Sequence, residues 1–144
     1  KRNKMKNLIF NVFKLIGIMY ISISLKNILQ IFLGYLSIEN DIKIYKIYNI
    51  KNTVYSLEYI FQLIIIYDYF IFAIIAYFWV FIILFFLTKK IGNKLWIHIS
   101  YSLSIYLLAI TYYDPFHYNI LFIFITIFLG YVNWWLFKKW IKFD

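Results

Sequence analysis

Few side chains in this sequence could carry chemistry, and the first to weigh is Asp68, which interrupts the run LIIIYDYFIFAIIAYFW over residues 63–79. Deep in an apolar helix a carboxylate is a proton-relay candidate. At a helix start the same group caps exposed backbone donors and faces the positive end of the helix dipole. Tyr69 to Leu87 carries no charge over nineteen residues, a length of about 28 Å as a helix. That suffices to cross a bilayer core without Asp68. Asp68 is therefore expected in the first helical turn, at the membrane surface. A helix beginning near Val54 is the alternative and would bury Asp68 at mid-depth, at roughly 2.5–3.5 kcal/mol. No Lys or Arg lies between Lys51 and Lys89 to pair with it.

The histidines are the other candidates for chemistry. His98 and His117 lie nineteen residues apart, about 28 Å along a straight helix, so they cannot bracket one metal or haem iron. Each is expected to be an interfacial hydrogen-bonder. Ser100, Ser102 and Ser104 have no acid nearby and only His98 as a base, which is no nucleophilic constellation. Ser100 and Ser104 form instead a small-x-x-x-small pair that lets helices approach closely, and Gly17, Gly34 and Gly130 read the same way. No glycine-rich phosphate loop, zinc signature or dinucleotide fingerprint occurs. No catalytic residue, metal site or cofactor is expected.

These residues sit in a chain of 144 residues that is 65% hydrophobic, against roughly 45–50% in soluble domains. So small a chain cannot bury that much apolar surface in its own core, and lipid must solvate much of the remainder. The net charge is +9, yet 14 Lys stand against one Arg, a poor composition for bidentate recognition of phosphates or bases, so nucleic acid is not an expected partner. Cysteine is absent, which removes disulfides and thiol chemistry and leaves the redox compartment open.

The fold class expected is all-α integral membrane, one domain over residues 1–144 with about four transmembrane helices at about 8–36, 69–87, 95–113 and 120–137. Lys89, Lys90 and Lys94 surround the turn residues Gly92 and Asn93, and Pro115 breaks the chain within YYDPFHYN. The mixed segment at about 38–67, with Lys43, Lys46, Lys51, Glu58 and Gln62 among Ile and Tyr, reads as an amphipathic stretch on the surface. Four spans place the basic N-terminus, the Lys89–Lys94 turn and the basic C-terminal tail on one side of the membrane. Three would strand the N-terminus on the other. KRNKMKN ahead of an apolar run suggests a signal peptide, but Lys14 breaks the run and no small-x-small cleavage site follows.

The first helix carries Asn11, Lys14, Ser22, Lys26 and Gln30 mostly at steps of three or four, which gathers them into one stripe. The stripe fits a tilted span facing protein or a helix lying in the interface. In the spanning arrangement these five, with Ser100 and Ser104, are the expected contacts to neighbouring subunits. At the other end, NWWLFKKWIKF sets Trp134, Trp135 and Trp140 at headgroup level, with Lys138, Lys139 and Lys142 to attract anionic lipid such as cardiolipin.

Residue usage adds one resemblance. Phe, Tyr, Met, Ile, Asn and Lys fill 88 positions, whereas Gly, Ala, Arg and Pro fill 9, and Ile outnumbers Ala by 31 to 3. Bilayer physics does not demand Ile over Ala or Lys over Arg, whereas an AT-rich genome does. In this the chain resembles divergent membrane proteins encoded by the mitochondrial genomes of protists such as ciliates, many of them respiratory-complex subunits. Low-GC bacteria and endosymbionts share the signature. The stretch SLEYIFQLIIIY also resembles, over about a dozen residues, a span of the NADH dehydrogenase subunit 4L family, whose buried glutamates belong to a proton path. Glu58 would be the matching acid, but the second acid of that family is missing, since Tyr69 to Leu87 contains none.

The resulting expectation is a non-catalytic structural or accessory subunit of a large membrane assembly, with other integral-membrane subunits and membrane lipids as partners. The resemblance implies a respiratory complex of a mitochondrial inner membrane. The alternative is a small ion or proton conduit using Asp68, Glu58 and Lys26, or a stand-alone protein of a bacterial inner membrane.

Overall fold

A computed structural model describes residues 1–47, 65–113 and 120–143, and all regular structure among them is helical. Helix α1 spans Arg2–Ile47, two π-helical turns (Tyr67–Ile71 and Ala73–Tyr77) lead into α2 (Phe78–Ile91), α3 spans Leu95–Tyr113, and α4 spans Ile120–Trp140. The first helix outruns its expected end at 36, passing without a break through Ser37 to Ile47. Glu39, Asp41 and Lys43 end the apolar pattern there, but they are acceptable helix residues, so polarity rises while the backbone continues. Residues 48–64, and with them Lys51 and Glu58, lie outside the described residues, as do residues 114–119, which include Pro115 and His117.

Helix α2 shows how the inward stripe forms. Phe81, Leu84, Phe85 and Thr88 are buried at helical spacing, and the Thr88 hydroxyl donates back to the carbonyls of Leu84 and Phe85 at 3.0 and 2.9 Å, so that no polar atom is stranded. The helix stops at Gly92, whose φ of 109° excludes an L side chain and whose N–H still reaches the Thr88 carbonyl at 2.8 Å. The turn to α3 is thereby only three residues long, Gly92 to Lys94, and it makes α2 and α3 neighbours. Lys89 and Lys90 occupy the last turn of α2, where cations suit the negative end of the dipole.

The core forms where α1, α2 and α4 meet. Leu15, Ile18, Leu84 and Phe137 are almost wholly excluded from solvent there. Helices α3 and α4 make the broadest contact of the bundle, followed by α1 with α4.

The opposite faces are also apolar. Phe13 is 68% exposed, Ile74 70% and Phe124 63%, with Trp79, Ile83, Phe86 and Trp96 similarly turned outward. Among the described residues, two helical stretches, Arg2–Leu29 and Asp68–Ile91, are long and apolar enough to cross a membrane.

Candidate functional site

The densest polar cluster joins α1 to the π-helical turns. Lys26 extends from α1 and donates to Asp68 Oδ2 at 3.1 Å and to the Tyr77 hydroxyl at 2.8 Å, while its ammonium also lies 5.0 Å from the centre of the Tyr77 ring. The side chains of Lys26 and Asp68 are 26% and 18% exposed, so the pair is largely withdrawn from the surface.

The winding of the backbone brings Asp68 and Tyr77 together. Nine residues make about 2.5 turns of α-helix, which would put the two side chains on opposite faces. Closed by wider i→i+5 bonds, the same nine residues make about two turns and return to one face. One turn up, the Ser24 and Tyr69 hydroxyls are 2.7 Å apart, and Tyr20 donates to the Tyr69 carbonyl at 3.1 Å with its ring stacked 5.9 Å from that of Tyr69. Tyr20 thus supplies a donor to a backbone oxygen within a π-helical turn, the kind of distorted ladder that needs outside partners.

Asp68 lies in the first turn of the π-helical segment Tyr67–Ile71, which already helical Ile65 and Ile66 precede; the start of this helix, and with it the choice between a surface and a mid-depth Asp68, lies outside the described residues. Its side chain, however, is held by an ammonium from α1, a partner that the local sequence between Lys51 and Lys89 does not offer.

Several expected subunit contacts are engaged within this chain instead. The Asn11 amide donates to the Lys142 carbonyl at 3.1 Å, and the Ser22 hydroxyl hydrogen-bonds the Asn133 side chain, with Asn11, Ser22 and Asn133 all buried. With Lys26, three of the five stripe residues are thus bonded to the π-helical turns, α4 and the C-terminal tail. The physical reason is plain: a buried polar group needs a partner, and this bundle provides one. Lys14 remains half-exposed, and the Gln30 side chain lies outside the described residues. Ser100 and Ser104 sit on the exposed face of α3, where Ser104 donates to the Ser100 carbonyl at 2.8 Å. Close approach of α3 and α4 falls to Gly130 instead.

An apolar cavity of about 330 Å³ opens between the helices beside this cluster. Lys26 and Tyr77 line it, as do Ser22 and Asn133, against walls supplied by Phe81, Ile105, Phe122 and Leu129. Tyr101 turns its hydroxyl to the Val80 carbonyl at 2.6 Å. Nearer the basic end, fully buried His98 contacts the Asn93 side-chain oxygen through Nε2 at 2.6 Å and meets the Phe137 ring edge-on at 4.8 Å. No partner among the described residues reaches His98 Nδ1 or Asn27 Nδ2.

At the C-terminal end of α4, Lys138 lies over the Trp134 ring at 5.2 Å and Lys139 over Trp135 at 4.4 Å. Trp135, Trp140, Lys138, Lys139 and Lys142 are exposed, and Trp134 is half-buried. The cations and aromatic rings of this tail therefore form a continuous amphipathic edge.

No protein-family model, curated protein or solved structure matches this chain.

Chemically, the Lys26–Asp68–Tyr77 cluster can hold a pair of opposite charges beside an apolar cavity, and a proton could be exchanged among its three groups. Among the described residues no group of three or more His, Cys, Asp or Glu could hold a metal ion. Tyr69, Tyr77 and Asn133 join these contacts although none of the three stands out as a site residue in the sequence. Asn133 did leave a signal: it is the one carboxamide in the apolar run from Ile120 to Phe137.

Proposed function

We propose that the chain is an integral membrane protein of four transmembrane helices that serves as a non-catalytic structural subunit of a larger membrane assembly. One observation carries this reading: helices of membrane-crossing length are apolar on their outward faces, while Lys26, Asp68, Ser22 and Asn133 pair with one another inside. A helix that is hydrophobic all round belongs in a large core or in lipid, and a bundle this small has no large core. The outward Phe, Ile and Trp side chains then meet lipid and neighbouring subunits. Ser100, Ser104 and Lys14 remain the polar and small groups on offer to a partner. Residue usage supports a respiratory complex of a mitochondrial inner membrane as the particular assembly.

Blue-native electrophoresis of the native membrane tests this directly. The chain should migrate in a band many times its own 17.7 kDa mass, and a band at monomer or dimer mass removes the subunit reading. Retention of the chain in the pellet after alkaline carbonate extraction checks membrane integration separately.

A second reading, an ion or proton conduit, draws on the position of Lys26 and Tyr77 at the wall of the 330 Å³ cavity, with Asp68 bonded behind them. Proton flux in the Asp68→Asn variant decides between the two.

A further inference from the structure

Three basic segments that are remote in sequence converge at one end of the bundle, and we propose that they form a site for the phosphate headgroup of one anionic phospholipid. Lys4 near the start of α1, Lys89 in the last turn of α2 and Lys142 in the C-terminal tail line a single hollow of about 180 Å³. All three side chains are exposed, and among the described residues the one ion pair is Lys26–Asp68, so no described carboxylate neutralises any of the three. Three like charges around one hollow repel one another, and an anion seated between them removes that repulsion. Lysine offers compact point charges with rotatable donors, which suits a phosphodiester better than a planar carboxylate.

The hollow is held in shape by contacts that do not involve the ammonium groups. Buried Asn11 fixes the tail backbone by donating to the Lys142 carbonyl at 3.1 Å, and the Phe143 ring stacks on Phe85 at 5.9 Å. Leu8, Phe85 and Phe143 supply an apolar wall beside the lysines. A free inorganic anion has no use for that wall. A phospholipid does, because its glycerol and acyl chains continue from the phosphate along apolar surface, and Leu8 is 42% exposed at the rim.

This inference rests on the membrane reading above, since only a bundle embedded in lipid brings this end to headgroup level. The test is native mass spectrometry of the full chain released from micelles containing phosphatidylglycerol or phosphatidylcholine. One phosphatidylglycerol should stay bound and phosphatidylcholine should not. Each Lys→Gln change at Lys4, Lys89 or Lys142 should weaken retention about fivefold, and the triple variant on the order of a hundredfold. Lys6→Gln, Lys90→Gln and Lys94→Gln together remove the same charge from exposed positions outside the hollow and should change retention little. Lys→Arg at the three lining positions should preserve it, which separates lost charge from lost folding.

Equal losses in the two triple Gln variants, equal retention of both lipids, or full displacement by inorganic phosphate would each overturn the site. A chain that resists carbonate extraction yet holds no phosphatidylglycerol overturns the site and leaves the membrane reading standing. A chain released by carbonate removes both.

Discussion

Gly130 lies so close to α3 that a Cβ built on it would stand 2.9 Å from the Ile99 Cα and 3.2 Å from the His98 carbonyl oxygen. Both neighbours are backbone atoms, which cannot swing aside as a side-chain tip can. Gly130→Ala should therefore force α3 and α4 apart and cost about 1–3 kcal/mol, with Gly130→Val costing more. Gly17→Ala is the matched control, because its new methyl would meet nothing nearer than Trp140 Cζ3 at 3.8 Å. It should be neutral or stabilising by up to about 1 kcal/mol through helix propensity. Unfolding in mixed micelles with increasing SDS gives both values, and equal tolerance at the two glycines would contradict the close approach.

The Lys26–Asp68 pair invites a double-mutant cycle. Removing one partner strands a largely buried charge, so Lys26→Met or Asp68→Leu alone should each destabilise by about 3 kcal/mol. The double variant replaces the pair by apolar groups of similar size and should lie within about 1 kcal/mol of the parent. Additive losses in the double variant would mean that the two side chains do not act on each other.

Asp68→Asn bears on function as well as stability. A structural subunit needs the packing of this cluster but not its exchangeable proton. In the purified assembly this variant should lower the yield of assembled complex while turnover and proton coupling per complex stay at the parental level. Lost proton flux at full assembly would transfer the weight to the conduit reading.

How far the sequence reaches can be judged at individual residues. The all-helical class is legible because long uncharged runs and the Gly92–Asn93 turn are local signals, and the structure forms helices on both sides of a Gly92 held at positive φ. The partner of Asp68 is not legible, because Lys26 stands 42 residues away and the intervening sequence carries no hint of the pairing. Tyr77 is hidden for a different reason: an α-helical wheel sets it opposite Asp68, and only π-helical winding brings the two together. The polar stripe of α1 is visible as a stripe, but periodicity cannot say whether the protein it faces is a neighbour or the same chain. Asn11, Ser22 and Lys26 find their partners at home.

The tryptophans offer a test of orientation in lipid that does not depend on any partner. Trp79 lies near the middle of the 24-residue stretch Asp68–Ile91 and is 57% exposed, whereas Trp135 lies near the end of α4, 45% exposed, beneath the Lys139 ammonium. If α2 and α4 cross the bilayer, Trp79 faces the acyl chains near the midplane and Trp135 rests at headgroup level, where indole rings are ordinarily enriched. Two variants, each keeping one of these tryptophans and replacing the other four by Phe, separate the depths. In vesicles, Trp79 emission should be quenched mainly by lipids brominated near the acyl-chain terminus and Trp135 emission by lipids brominated near the glycerol. Lys139→Gln should leave that depth order intact while loosening the hold on Trp135, since a cation over an exposed ring contributes about 0.5–1 kcal/mol. Identical quenching profiles for the two residues would place both helices in the plane of the interface, and the four-helix crossing would then have to be abandoned.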